Sequence, residues 1–352
     1  MVINSNFWNG KSVFITGHTG FKGGWLALWL NEMGAKVYGY SLEAPTTPNF
    51  YNIIDLQNKI QNSFKGDILD LKKLIKSMQE ARPSVIFHLA AQPLVRYSYD
   101  HPLKTFTTNL IGTINVFEAA RKIESVKTII NVTTDKCYEV QKSCYPYHEN
   151  DKLGGFDPYS GSKACSEIAT SAYRNSFFSK NKIKLASVRA GNVIGGGDWA
   201  KDRLIPDFFR SIDNNKILYI RSPQAVRPWQ HVLDPLSGYL MLAEKLAKRD
   251  SNFAEAWNFG PEQSSTKTVS WVLNKLCKKF KNSRWKIEKT QGHHETNILK
   301  LDISKAKKKL GWKPRWNLET SINNTILWHQ AFKENKNMAK FSIQQIKNYQ
   351  LS

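Results

Sequence analysis

A glycine turn set between a buried strand and an apolar helix constrains this chain more than any other feature. Ser12-Val13-Phe14-Ile15-Thr16 reads as a buried strand, and Trp25-Leu26-Ala27-Leu28-Trp29-Leu30 as an apolar helix. Between them lies Gly17-His18-Thr19-Gly20-Phe21-Lys22-Gly23. Glycines there allow positive φ and let backbone approach a pyrophosphate, whose charge the helix N-terminus favours. A lone glycine pattern says little, but one in strand–turn–helix context reads as a dinucleotide site. Further strands follow at Lys36–Tyr40, Ser84–Leu89, Thr128–Val132 and Ile183–Val188, with helices around Leu71–Met78 and Leu110–Arg121. Such alternation implies a parallel sheet covered on both faces, and right-handed crossovers make it doubly wound. The expected fold is therefore α/β, a Rossmann-type doubly wound parallel sheet with a second, smaller α/β substrate-binding domain. The first domain is expected over residues 1–190 with a return segment around 230–257, and the second mainly over 191–352. The last twenty residues are polar and rich in Lys and Asn, and read as a solvated helix and a loose tail. No internal repeat is present.

With 352 residues and 41% hydrophobic content, the chain has the composition of a soluble globular protein with an ample core. No apolar run approaches the ~20 residues of a membrane span. The polar start Met1-Val2-Ile3-Asn4-Ser5-Asn6 does not read as a signal peptide. Cys137, Cys144, Cys165 and Cys277 show neither CxxC pairing nor zinc spacing, so free thiols in a reducing cytoplasm are expected. The net charge of +22 raises nucleic-acid binding or an anionic small molecule as partners. The lysines are scattered and no RRM, zinc-finger or helix-turn-helix signature accompanies them, which argues against nucleic acid. His293-His294-Glu295 offers no third metal ligand and reads as a loop over the nucleotide; no metal is expected.

Tyr159-Ser160-Gly161-Ser162-Lys163 opens a run of small and apolar residues that suits a helix. Residues four apart share a helix face, so the phenol and the ammonium point into one space. A cation beside a tyrosine hydroxyl favours the phenolate and makes a proton-transfer group without a metal. The second strand ends in Tyr40-Ser41-Leu42-Glu43, with no acid at the usual ribose position and no arginine for a 2′-phosphate, so NAD is expected. Asp67 and Ile68 could meet the adenine, and Leu89, Ala90 and Ala91 are small enough to pack against the cofactor.

TGxxGxxG, HLAA, Asn109, Thr134 and YxxxK occur in this order at sensible distances. On these motifs, and on Thr133-Thr134-Asp135-Lys136-Cys137-Tyr138 and Arg189–Ala200, the chain resembles the extended short-chain dehydrogenase/reductase family of sugar-nucleotide enzymes over nearly its whole length. The resemblance implies that Thr134 orients the sugar hydroxyl, Tyr159 takes its proton, and Lys163 lowers the Tyr pKa and holds the nicotinamide ribose. It also implies that Asn109 kinks its helix, that Gly17, His18, Thr19, Gly20, Phe21 and Lys22 cradle the cofactor, and that Arg227 binds the substrate pyrophosphate. Gln92, Asn192 and Arg203 are further substrate candidates.

Asp135 and Lys136 resemble a branch of that family that removes water from the sugar. The activity implied is a lyase that takes CDP-glucose to CDP-4-keto-6-deoxyglucose in the synthesis of deoxysugars for surface polysaccharides such as the O-antigen of lipopolysaccharide. A homodimer, or a dimer of dimers, is also implied, pairing the Tyr159 helix with the Leu103–Arg121 helix. A neutral Lys136 could abstract the carbon 5 proton while a protonated Asp135 serves the departing water. Alternatively, Lys136 stays charged and stabilises the enolate. Adjacent residues on a straight strand face opposite ways, so the backbone must bend here. Two other readings remain open at this stage: an epimerase or dehydratase on a UDP, GDP or dTDP sugar, and a non-catalytic dinucleotide-sensing protein.

Overall fold

A computed structural model describes residues 3–140, 145–178, 183–248, 250–280, 283–288 and 299–352. Its centre is a sheet of seven strands: β1 (Ser12–Thr16), β2 (Lys36–Ser41), β3 (Asn62–Lys65), β4 (Val85–His88), β5 (Thr128–Val132), β6 (Lys184–Ala190) and β7 (Ala256–Phe259). The order across the sheet is β7-β6-β5-β4-β1-β2-β3, and every pairing is parallel. The chain starts in the middle, builds outward to β3, then returns to lay β4 on the other side of β1. That reversal opens a crevice beyond the carboxyl ends of β1 and β4, where open α/β sheets hold their ligands. β3 is polar and half exposed along its length, as suits an edge strand, and no apolar run marks it in the sequence.

Seven helices recur below: α1 (Phe21–Glu32), α2 (Leu71–Ala81), α3 (Gly112–Arg121), α4 (Pro158–Tyr173), α5 (Leu233–Ala247), α6 (Leu318–Lys333) and α7 (Met338–Leu351). α4 starts at Pro158, whose fixed φ suits the first helical position, and Asp157 caps it by accepting from Ser160 N. α2 is capped in the same way by Asp70, which accepts from Lys73 N. Apolar side chains form three clusters: one on each face of the sheet and a third in a smaller lobe. The smaller lobe is built on three short strand pairs, Val193–Ile194 with Gln230–His231, Val226–Pro228 with Thr266–Thr268, and Leu218–Ile220 with Trp285–Ile287. α6 ties the lobes together, giving Leu318, Ile322 and Ile326 to the small core and Trp328 to the large one.

The expected loose tail is a docked helix. Met338, Ser342, Gln345, Ile346 and Tyr349 of α7 are buried. Tyr349 meets Trp29 of α1 edge-on at 5.7 Å between centroids and gives its hydroxyl proton to Asp234 Oδ1 at 2.8 Å. This cover explains why α1 is apolar all round: the sheet takes one side and the C-terminal helices the other. The lysines and asparagines that dominate the composition there occupy the outer face.

Candidate active site

The glycine turn is tight because it must be. Gly17 has φ +82°, and a Cβ on it would lie 2.7 Å from Ala90 N, while one on Gly23 would lie 2.1 Å from Gly17 O. The turn thus rests directly on the Leu89-Ala90-Ala91 segment at the end of β4. Gly20 then opens α1 without a side-chain cap, leaving first-turn N–H groups facing the crevice. This is a cradle that fits a pyrophosphate. The His18 ring is turned inward, bonded to Ser63 Oγ at 2.7 Å and set edge-on to Tyr51, so only its backbone lines the turn. Thr19 donates to Leu42 O at 3.2 Å. Asp67 and Ile68 close the far end. Asp67 Oδ1 accepts from Leu69 N, its carbonyl accepts from the Tyr40 hydroxyl, and Ile68 fills the space that Gly112 leaves free. Glu43 pairs instead with the exposed Lys65.

Beyond Val132 the β5 strand stops, and Asp135–Cys137 forms a single 3₁₀ turn capped by Thr134, whose hydroxyl accepts from Lys136 N at 3.3 Å. Here the backbone bends, as expected for adjacent side chains that are to face one site. Thr134 Oγ1 lies 3.2 Å from Asp135 Oδ1 and also within hydrogen-bond reach of the Tyr159 hydroxyl. One hydroxyl therefore links the buried acid to the phenol. Asp135 Oδ2 is buried without a hydrogen-bond partner. It faces Gly191, where a Cβ would lie 2.8 Å away. Burial holds the Asp135 carboxyl above the usual carboxylate range, although Lys136, Thr134, Arg227 and Lys22 all pull it back. Lys136 is half buried beside it.

Tyr159 is pushed up to about 12, because burial outweighs Thr134 and Arg203, which favour the phenolate. Lys163 donates to Val132 O at 3.2 Å, and burial together with neighbouring Lys22 brings its ammonium down to about 8. Lys22 is likewise lowered to about 8, first by burial and then by Arg203, with Asp135 and Asp198 opposing. The cations Lys22, Lys163 and Arg203 thus gather with the buried carboxyls of Asp135, Asp198 and Glu167.

Asn109 lies in a π turn, Thr107–Ile111, where the helical ladder widens by one residue between Pro102–Phe106 and α3. Its side chain clamps the backbone of Gln92 from both sides and donates to Ser162 Oγ at 2.9 Å. Gln92 in turn bonds Leu94 and Thr105, bracing its own loop. Arg227 is buried, donates to Val226 O and acts electrostatically on Asp135. Arg203 sits at the start of Leu204–Asp213, paired with Asp198 at 2.8 Å. Asn192 gives its carbonyl to Gln230 N. His293, His294 and Glu295 lie outside the described residues.

Sequence reasoning missed a buried ion pair beneath this group. Glu167 receives Arg189 at 2.8 Å, Thr133 at 2.5 Å and Ser187 at 2.7 Å. Its place four residues after Lys163 was the available signal, because that spacing shares a helix face. Asp198, the partner of Arg203, was missed as well and carries no spacing signal.

The profile of the family described as GDP-mannose 4,6 dehydratase matches residues 14–325. A CDP-glucose 4,6-dehydratase of Salmonella typhimurium is 48% identical, over 99% of this chain and 98% of that protein. A dTDP-glucose 4,6-dehydratase of Xanthomonas campestris is 25% identical, over 90% of this chain and 92% of its own. Among solved structures, a double mutant of DesIV, the dTDP-glucose 4,6-dehydratase of Streptomyces venezuelae with NAD bound, superposes with TM-score 0.77 at 21% identity, covering 93% of this chain and 99% of that one. UDP-glucose 4-epimerase of Thermotoga maritima gives 0.78 at 23%, covering 91% and 99%. These two likenesses establish the fold. With a family profile spanning most of its length and a close full-length relative, the chain belongs to the GDP-mannose 4,6-dehydratase family of extended short-chain dehydrogenase/reductases.

Proposed function

We propose that this chain is an NAD-dependent hydro-lyase that converts CDP-glucose into CDP-4-keto-6-deoxyglucose and water. The near-complete likeness to the Salmonella protein supports the substrate. The observation that carries the chemistry is the one-turn helix that sets Asp135, its Oδ2 unpartnered, beside the Thr134–Tyr159 pair. The glycine cradle at Gly17–Gly23 fits the cofactor's pyrophosphate, and Asp67 and Ile68 its adenosine end. When bound, NAD supplies a hydride acceptor for sugar carbon 4 and a donor for carbon 6, so no net oxidation results.

The residues manage protons around that exchange. Tyr159 accepts the proton of the 4-hydroxyl, and Thr134 aligns that hydroxyl. A phenol held near 12 is almost wholly protonated near neutral pH, so its phenolate, the strong base, depends on the support that Thr134 and Arg203 give it. A ketone at carbon 4 acidifies the carbon 5 proton, which Lys136 removes and returns to carbon 5 once carbon 6 has gained its hydrogen. Asp135, whose carboxyl burial raises toward the protonated form, delivers a proton to the carbon 6 hydroxyl as it leaves as water. Arg227 and Arg203 hold the diphosphate through forked contacts.

Incubating CDP-glucose with enzyme and NAD should lower the sugar-nucleotide mass by one water; an unchanged mass overturns the reading. In Lys136→Met, dehydration should fall roughly 10²–10⁴-fold. Hydride transfer to the cofactor should persist, and solvent deuterium should stop entering carbon 5. Full exchange in that variant would refute the proton-abstraction role. A thermal-shift comparison of CDP, UDP, GDP and dTDP tests the base.

The finer reading is a cytoplasmic homodimer serving surface-polysaccharide deoxysugar synthesis. Free Cys137, Cys165 and Cys277 suit a reducing compartment. No helix among the described residues is long and apolar enough to cross a membrane. Leu103, Ile111 and Ile168 expose apolar surface on the helices expected to pair.

A further inference from the structure

His88 ends β4 and is 2% exposed, with both ring nitrogens bonded inside the protein. Nδ1 lies 2.7 Å from Thr16 Oγ1, and Nε2 lies 3.0 Å from Thr113 Oγ1. The direction of every bond in this group follows from its far end. Thr113 donates its only proton to Asn109 O at 2.7 Å, the position at which the π turn disturbs the helical ladder. Toward His88, Thr113 can then only accept, so Nε2 carries the hydrogen. Burial, and the ammonium of Lys163, keep the ring neutral, with its pKa lowered to about 3. Nδ1 is therefore bare and accepts from Thr16, whose oxygen in turn accepts from Ala90 N at 3.3 Å. Beyond Asn109 the line continues: its amide donates to Ser162 Oγ at 2.9 Å, and Ser162 donates to the Tyr159 carbonyl at 2.7 Å.

Thr16 immediately precedes the glycine turn, and Ala90 is the backbone on which Gly17 rests. The other end of the line is the first turn of α4, which carries Tyr159 and Lys163. We propose that His88 is a positioning residue: as a neutral, Nε2-protonated ring it is the central link of a one-directional hydrogen-bond chain, Thr16–His88–Thr113–Asn109–Ser162, that holds the catalytic helix in register with the cofactor turn. Thr16, Thr113, Asn109 and Ser162 are as deeply buried as His88, so each lost link strands a polar atom away from water. No ring rotation or second tautomer keeps both the His88 and the Asn109 bonds of Thr113, whose remaining neighbour, Ser166 Oγ at 3.3 Å, must then donate to it. With both ring nitrogens bonded inside the protein, His88 has no polar atom left for a sugar or cofactor; it acts through their supports.

The test has two arms. Nitrogen NMR of isotope-labelled histidine, assigned with His88→Gln, should show one neutral Nε2–H ring that does not titrate across the neutral range. A ring protonated on Nδ1, or one that titrates there, overturns the proposal. This arm needs no turnover, so it is independent of the functional reading on which the kinetic arm rests. In that second arm Thr113→Val should lower kcat roughly ten- to a hundred-fold, with NAD affinity and KM for the nucleotide sugar within about twofold. Thr113→Ser should restore most of the rate. His88→Leu should behave as Thr113→Val does, and the double variant should lose no more than the worse single one, because both break one chain. If His88→Leu does not fold, the Thr113 pair carries this arm alone. Wild-type kcat in Thr113→Val, no rescue by serine, or fully multiplicative losses would each refute the idea.

Discussion

The two sides of the crevice are held by different kinds of contact. On the cofactor side, from Thr16 through His88 and Asn109 to Ser162, the polar groups are buried and bonded to one another. On the substrate side, the Asp198–Leu204 loop is fastened by ion pairs nearer solvent. Arg96 reaches Asp202 at 2.7 Å with roughly two-fifths of each side chain exposed, while Arg203, one-third exposed, reaches an Asp198 that is itself buried. Buried neutral chains have few alternative arrangements, whereas exposed ion pairs are worth little and exchange readily with water. Under the proposed function, the reacting groups are thereby preorganised, and the surface that would accept a nucleotide sugar is left more adjustable.

The largest expected effect on this contrast comes from Lys136→Met, described above, because it removes a reacting group and leaves both scaffolds intact. Next is Gly17→Ala. The new methyl meets Ala90 N and must adopt φ +82°, so NAD affinity should fall at least about tenfold by calorimetry. Near-normal affinity would show that the turn is more compliant than the buried chain behind it.

Asp234 gives a smaller, pH-dependent effect in the support beneath the site. Its burial raises the carboxyl from 3.8 to about 7, against bonds from Arg315 and Tyr349. A raised carboxyl pKa means the folded state keeps a proton that the unfolded chain has lost, so this group's contribution to stability falls as pH rises from about 4 to 7. Asp234→Asn keeps the acceptor and removes the charge. Its melting temperature relative to wild type should rise by roughly 5 °C between pH 5 and pH 8. A flat difference would place the charge elsewhere. Smallest is Arg96→Ala, which should raise KM for the sugar nucleotide two- to fivefold at low salt and hardly at all at high salt. A large change in kcat would mean that this side is as preorganised as the other.

Strand, turn and helix around Ser12–Leu30 were legible because a glycine that cannot carry a Cβ leaves a mark in the sequence, and so does a buried parallel strand. The bend at Thr134 was legible too, since two neighbouring reacting side chains cannot share a face of a straight strand. The distortion at Asn109 was legible only through the resemblance, which implied a kink there, because one extra residue in a helical ladder barely alters its periodicity. The Nε2–H tautomer of His88 was not legible: it depends on where a proton of Thr113 goes, twenty-five residues away. The Tyr159–Lys163 spacing reports proximity and says nothing of desolvation, which pushes the buried phenol up. α7 was misread through composition. Its lysines and asparagines mask a stripe, Met338, Ser342, Gln345, Ile346 and Tyr349, that only a partner surface explains.

That docked helix has a consequence for synthesis. Trp29, made early, finds its neighbour Tyr349 only when the segment 338–351 has been translated, and Arg315 then grips the carbonyls of Tyr349 and Gln350. A nascent chain released without that segment would display the α1 indole to chaperones and proteases. Truncation at Asn337 should therefore reduce recovery of soluble protein before it alters any rate constant.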